Sequence, residues 1–228
     1  MNKSFVKRIG KFTDAQKKAY DELSEKYLIN YKEEYLDFQE SFGNPKNVTM
    51  EIGFGSGIAT AEIAEKNPDK NYLGIEVHRP GIGKLLWEIQ KRNLCNIRII
   101  EYDAFYVVQK MIPQNSLDAI HIFFPDPWPK ARHKKRRLVQ RPFTETLSNC
   151  LKPDGYFYMV TDWEDYAYHA MEELCATPLL KNEYVDFALP QEWRPKTRFE
   201  EKGLAKDHEI KELLFTRAKN NQTYGLEK

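Results

Sequence analysis

From Val48 to Cys175 the chain alternates, five times over, a short apolar run with a stretch of helical character. Runs at Val48–Ile52, Tyr72–Ile75, Ile97–Ile100, Leu117–Phe124 and Tyr156–Val160 predict strands. Stretches at 58–66, 80–92, 104–111, 139–150 and 164–176 predict helices, with Asn67-Pro68 and Lys152-Pro153-Asp154-Gly155 as stops. Strands whose residues are apolar on both sides need cover on both faces, as parallel sheets have. Repeated βα units then give an α/β fold: a doubly wound, mainly parallel sheet joined by right-handed crossovers. Two further strand candidates, Glu183–Phe187 and Ile210–Thr216, are separated by a loop at 188–209. A loop of that length carrying Trp193, Pro195, Phe199 and mixed charge reads as functional.

At 228 residues the chain suffices for one well-buried domain. Residues 1–45 are charged and helical in character; Thr13 and Gln16 predict a capping box opening a helix through Tyr20, Leu23 and Tyr27, and Gly43-Asn44-Pro45 closes the segment. They read as an N-terminal helical extension of a main domain at 46–228. The first residues lack an apolar core of the signal-peptide kind, and no apolar stretch approaches the roughly 20 residues of a membrane span. Cys95, Cys150 and Cys175 are scattered, with no close pair, which disfavours disulfides and a zinc site and fits a reducing cytoplasm. Each is expected as a small buried apolar residue. No metal is expected.

Strand one ends in Glu51-Ile52-Gly53-Phe54-Gly55-Ser56-Gly57 and a helix follows. Gly53, Gly55 and Gly57, at alternate positions, allow a tight turn and close approach to a ligand. The dinucleotide fingerprint requires a third glycine where this chain has Ile58. Glu76 ends strand two, 23 residues after Gly53, placed to accept hydrogen bonds from ribose hydroxyls. Glu51 would repel a pyrophosphate but favours a cation. S-adenosylmethionine, with a sulfonium and an ammonium, therefore fits better than NAD. Asp103, after strand three, is placed to accept from an adenine amine.

The segment His121–Arg137, HIFFPDPWPKARHKKRR, is the richest in chemistry. Its apolar run stops at Pro125-Asp126-Pro127, which fixes one carboxylate on a rigid turn where open α/β sheets place ligands. Trp128 and Lys130 follow, and between Lys130 and Arg141 there are seven Lys/Arg and no acid. Overall the charges nearly cancel, 35 Lys+Arg against 34 Asp+Glu, so the local cluster and not bulk charge suggests a flat anionic partner such as a polynucleotide.

With these motifs the chain resembles the bacterial tRNA (guanine-N7-)-methyltransferases. EIGFGSG (51–57), GIEVHRPG (74–81), FFPDPWPKARHKKRR (123–137), VTDW (160–163) and TRFEEKG (197–203) occur in the family's order, and PDPWPK and TxFE are far more specific than the glycine loop. The resemblance implies a seven-stranded, Rossmann-like class I methyltransferase fold and methylation of guanine 46 in the variable loop of tRNA. It implies cofactor contacts at Glu51, Glu76, Asp103 and Asp126, with Asp126 also the catalytic candidate. Lys130, Asp162, Thr197, Arg198, Phe199 and Glu200 would contact substrate; Arg198 stands where many relatives have Lys. Arg132, His133, Lys134, Lys135, Arg136 and Arg137 would meet RNA. The protein is expected in the cytoplasm, with no membrane partner, as a monomer or homodimer.

Guanine N7 carries a lone pair and no proton, so its methylation needs no general base and no protein nucleophile. Carboxylates that hold the guanine N1–H and N2–H edge and stabilise the arriving positive charge are useful, and Asp126, Asp162 and Glu200 are of that type. His78, His121, His133 and His208 read as structural. Two roles remain open for Trp128 and Phe199, stacking on a base or packing internally. Among rivals, an NAD-dependent oxidoreductase lacks its third glycine. An amino-group methyltransferase for another RNA base would have a second proline after the acid where Trp128 stands. A non-catalytic RNA-binding module leaves the carboxylates around the glycine turn without purpose.

Overall fold

The computed structural model describes residues 12–197, 200, 203, 205 and 208–219. β1 (Val48–Ile52) is buried along its whole length inside the sheet. It pairs in parallel with β2 (Asn71–Glu76) on one side and β4 (Leu117–Phe123) on the other. β3 (Ile97–Glu101) lies outside β2 and β5 (Leu151–Thr161) outside β4, both again parallel. β7 (Lys211–Arg217) runs antiparallel to β5, and β6 (Leu180–Asn182) completes the seven-stranded order β3-β2-β1-β4-β5-β7-β6. The winding reverses between β1 and β4, so a crevice opens at their carboxyl ends.

Helices cover both faces. On one face α5 (Ala104–Lys110), α6 (Phe143–Cys150) and α7 (Glu164–Cys175) bury Val107, Phe143, Leu147, Tyr166 and Leu174 against the sheet. On the other, α3 (Ile58–Lys66) and α4 (Arg79–Arg92) bury Ala61, Ile63, Leu85, Leu86 and Ile89. Helix α1 (Asp14–Tyr27) opens with the capping box: Thr13 Oγ1 accepts from Gln16 N at 3.3 Å and Gln16 Oε1 from Thr13 N at 2.9 Å. It packs on α4, and a Cβ added at Gly83 would lie 2.6 Å from the Gln16 carbonyl oxygen. Tyr27 donates to the Leu94 carbonyl at 3.1 Å and Ile29 N to that of Ile99 at 2.8 Å; the short α2 (Phe38–Phe42) follows.

Four expectations shift. Glu183–Phe187 is not a strand; the edge strand ends at Asn182, whose side chain accepts from Tyr184 N at 3.1 Å and donates to the Asp186 carbonyl at 3.0 Å, closing a turn. α6 starts at Phe143, not 139, because Val139 N is taken by the Tyr166 hydroxyl at 3.0 Å and Pro142 occupies the N-cap. The 152–155 stop becomes an irregularity inside β5, where the register moves from Leu117↔Leu151 to Ala119↔Tyr156. Only Cys150 is buried; Cys95 and Cys175 are exposed. Among the described residues, no helix is long and apolar enough to cross a membrane and no His/Cys/Asp/Glu group could hold a metal ion.

Candidate functional site

The carboxyl ends of β1 to β5 carry, in order, Glu51, Glu76, Asp103, Asp126 and Asp162. After β1 the chain turns through Gly53, Gly55 and Gly57 at φ +74°, +58° and +66°, a conformation that side chains with a Cβ rarely adopt. Nothing lies within 4 Å of where a Cβ on Gly53 or Gly55 would stand, so the loop borders open space. Behind it, α4 approaches so closely that a Cβ at Gly81 would lie 2.0 Å from the Gly55 carbonyl oxygen.

Glu51 is buried, 4 % exposed, and accepts from Thr60 Oγ1 at 2.8 Å. Burial, with a contribution from Glu76, pushes its pKa up to about 7. A carboxylate in that position is suited to a cationic ligand, whose charge would offset the desolvation. Glu76 accepts from three backbone amides: Gly55 at 2.9 Å, Val77 at 2.6 Å and His78 at 3.0 Å. It therefore shapes the glycine turn as well as bordering it. Asp103 caps α5, accepting from Phe105 N at 3.0 Å. The buried acid, the open glycine loop and the acid at the end of β2 together fit S-adenosylmethionine.

At the end of β4 the half-buried Asp126 sits on Pro125-Asp126-Pro127, bracketed by two aromatic residues in the left-handed region, Phe124 at φ +49° and Trp128 at φ +46°. Each such residue costs of order 1–3 kcal/mol, so surrounding contacts must hold the turn. They do. Phe124 N donates to the Val160 carbonyl at 2.8 Å, and Arg137 Nε to that of Pro127 at 3.0 Å. The Arg137 side chain is fully buried, 4.8 Å over the Tyr166 ring, and its guanidinium pairs with Asp165. Hydrogen bonds from Lys134 and Arg137 pull the Asp165 carboxyl down to about 2. Trp128 packs internally, beneath the Arg136 guanidinium at 5.0 Å and edge-on to His133 at 5.8 Å.

Arg137 thus departs from expectation: it braces the turn from inside and is not presented to RNA. Lys134 is half-buried and bonded to Asp165 at 2.7 Å. Lys130, Arg132 and Lys135 are exposed, on and before a 3-10 helix at Ala131–Arg136, with His133 and Arg136 half-buried beside Trp128.

Asp162 follows β5 and lies 3.4 Å from His208 Nδ1. Thr197 Oγ1 accepts from Glu200 N at 3.2 Å. Glu200 is buried and paired through both oxygens with Arg194, at 2.5 and 3.1 Å. Arg198 and Phe199 lie outside the described residues. Sequence reasoning missed Arg194, Glu212 and Thr60; a lone Arg before a proline and a Glu in a strand carry no spacing signal. His121 is buried, bonded through Nε2 to the Tyr156 hydroxyl at 3.0 Å, and burial pushes its pKa down to about 3. It borders a cavity of about 690 Å³ with Tyr72, Tyr156 and Trp193, which none of the candidate site residues lines.

Residues 45–213 match a methyltransferase family, Methyltransf_4. The chain is 48% identical to the tRNA (guanine-N(7)-)-methyltransferase of Nitrosomonas europaea, over 94% of this chain and 96% of that protein. It is 46% identical to the protein of the same name from Nitrosospira multiformis, over 93% of each. Among solved structures it is similar to the 16S rRNA methyltransferase KamB, with TM-score 0.55, 14% identity and coverage of 96% of this chain and all of that one. The antibiotic-resistance methyltransferase Kmr gives TM-score 0.56 at 14% identity, covering 85% of this chain and 96% of that one. At such identity the structures speak for the fold alone.

Proposed function

This chain belongs to the tRNA (guanine-N(7)-)-methyltransferase family, and we propose that it transfers the methyl group of S-adenosylmethionine to N7 of guanine 46 in the variable loop of tRNA. The observation that carries the residue assignment is Asp126, held at the carboxyl end of β4 on a turn whose flanking residues are both in the left-handed region. A carboxylate with so little freedom is preorganised to hold one edge of a base.

The cofactor supplies an electrophilic methyl group on a positively charged sulfur. Glu51, behind the loop of Gly53, Gly55 and Gly57, meets that positive charge; Glu76 holds the ribose, Asp103 the adenine amine, and Asp126 borders cofactor and guanine together. No residue removes a proton, because N7 has none. Asp126 and Asp162 accept from guanine N1–H and N2–H, orient the ring and stabilise the charge that arrives on it. Lys130, Thr197, Arg198, Phe199 and Glu200 contact the substrate. The exposed Lys130, Arg132 and Lys135, with His133 and Arg136, contact phosphate, and residues 1–45 extend the catalytic unit of 46–228. The protein works in the cytoplasm as a monomer or homodimer.

Nucleoside analysis of tRNA incubated with protein and cofactor tests this. 7-Methylguanosine is expected, and it is lost when guanine 46 is replaced by adenine. A different methylated base overturns the reading; 7-methylguanosine at another position overturns only the choice of guanine.

A further inference from the structure

Resting on that reading, we infer that Thr60 is a positioning residue of the cofactor site: its hydroxyl fixes one oxygen of Glu51 and leaves the other for the positive charge of S-adenosylmethionine. The Thr60 hydroxyl donates to Glu51 Oε2 at 2.8 Å, and among the described residues the carboxylate has no other hydrogen bond. Both side chains are enclosed, at 1 and 4 % exposed, so little water can reach the pair to replace that bond.

The place of Thr60 is set by α3 itself. The helix leaves the glycine turn at Gly57, φ +66°, where an added Cβ would lie 2.6 Å from that of Leu85 on α4. The start of α3 is thereby seated hard against its neighbour. Ala61 N bonds the Gly57 carbonyl at 2.9 Å, which closes the first turn with Thr60 inside it. No side chain caps this helix, so the positive end of its backbone lies beside Glu51 together with the hydroxyl. A threonine hydroxyl in a helix can turn back to the carbonyl one turn before it; here it goes across to β1 instead.

A buried carboxyl without donors takes up a proton and has little to offer a cation. Burial and the charge of Glu76 both push Glu51 towards that state, and the Thr60 bond opposes them. The other flanks bring no countercharge among the described residues. His121, the register partner of Glu51 on β4, is kept neutral by its own burial, and Gly74, the partner on β2, has no side chain. On α3, Glu62 and Glu65 turn to Arg92, and Lys66 is exposed at the far end. Until a cationic ligand arrives, the Thr60 hydroxyl and the end of its helix are what favour the ionised carboxylate.

Thr60→Val keeps the branched shape without the donor, and Thr60→Ser keeps the donor without the methyl. The Glu51 carboxyl can be followed by carbon-13 NMR and identified by its absence in Glu51→Gln. It should titrate about one pH unit higher in Thr60→Val, the scale of one bond to a charged group, and return to the wild-type midpoint in Thr60→Ser. Calorimetry should find S-adenosylmethionine bound about tenfold more weakly by Thr60→Val than by wild type at about pH 6. The two affinities should come within about twofold at about pH 8.5, where both carboxyls are largely ionised. Single-turnover transfer at saturating cofactor and that higher pH should be unchanged. A loss of the same size at every pH would mean that Thr60 merely holds α3, and an unmoved Glu51 midpoint that it does not act on the carboxylate; either overturns the inference. If Thr60→Val does not fold, Thr60→Ala, with the best helix former, makes the same test. If the wild type binds no S-adenosylmethionine, the proposed function falls, while the NMR midpoint still decides whether Thr60 governs Glu51.

Discussion

Around β1 to β3 the three candidate cofactor acids accept from the glycine turn, from the helix after it or from the turn that follows their own strand: Glu51 from Thr60, Glu76 from Gly55, Val77 and His78, Asp103 from Phe105. Around β4 and β5 the supports are buried cations that reach into other elements. Arg137 reaches Asp165, 28 residues on, and Arg194 reaches Glu212, 18 residues on. The first region follows from backbone turns and needs little else. The second holds strained or irregular backbone and depends on buried cations that tie separate elements together. A pocket for an invariant small molecule can be made locally, whereas a surface that grips a base within a folded RNA is assembled from several segments.

The comparison can be broken most sharply at Asp126. Asp126→Asn keeps the shape of the side chain but presents an amide to the guanine donors, and single-turnover methylation should slow by at least about 10²-fold with tRNA affinity little changed. Near wild-type turnover would reduce Asp126 to a shaper of the turn and move the catalytic role to Asp162. In the cofactor half, Glu76→Ala should weaken S-adenosylmethionine binding by roughly 1.5–3 kcal/mol in calorimetry, the range for hydrogen bonds to a charged group. An unchanged affinity would confine Glu76 to bonding the Gly55 turn.

Glu51 allows a pH test of the same half. Its pKa is raised from 4.5 to about 7 in the fold. The folded chain then binds more protons than the unfolded one between those values, and stability falls as pH rises through that window. A cationic ligand favours the ionised form, so cofactor binding should release up to one proton below about pH 7, and affinity should climb with pH by at most about tenfold per unit. Calorimetry in two buffers of different ionisation heat reads this, and Glu51→Gln should abolish it.

The smallest effect separates exposed from buried cations in the RNA half. Neutralising Lys130, Arg132 and Lys135 together should flatten the log–log salt dependence of tRNA binding by about 2–3, at roughly 0.7–0.9 per phosphate contact. Arg137→Ala should leave that slope intact and instead cost about 1–3 kcal/mol in denaturant unfolding, since the Pro127 carbonyl loses its donor. A slope change with Arg137→Ala would mean the residue leaves its buried site when RNA binds.

The same division governs what could be read from the chain. Period, glycines and strand-end acids are local signals, so the five parallel strands, the glycine turn and the edge acids are legible in the sequence. Arg137 looked like one more member of a basic run because nothing in the run marks which cation Tyr166 and Asp165 will enclose. The pairing of Glu200 is hidden for a related reason: its partner Arg194 is shared with Glu212, which the antiparallel return of β7 brings up. The short β6 was misplaced because Asn182 turns the chain with its side chain, overriding the β-prone Tyr184, Val185 and Phe187 beyond it.

The attachment of residues 28 and 29 to Ile99 has a consequence for the protein at high concentration. A sheet with free outer strands offers unpaired N–H and C=O groups to any other chain. Here β6 is only three residues long, and β3 has its outer side engaged by the Leu28 bridge, by Ile29 N and, across from α2, by the Arg98 side chain bonded to the Ser41 carbonyl. A chain begun at residue 46 would bare the edge of β3. Self-association, before any loss of chemistry, would be its first defect.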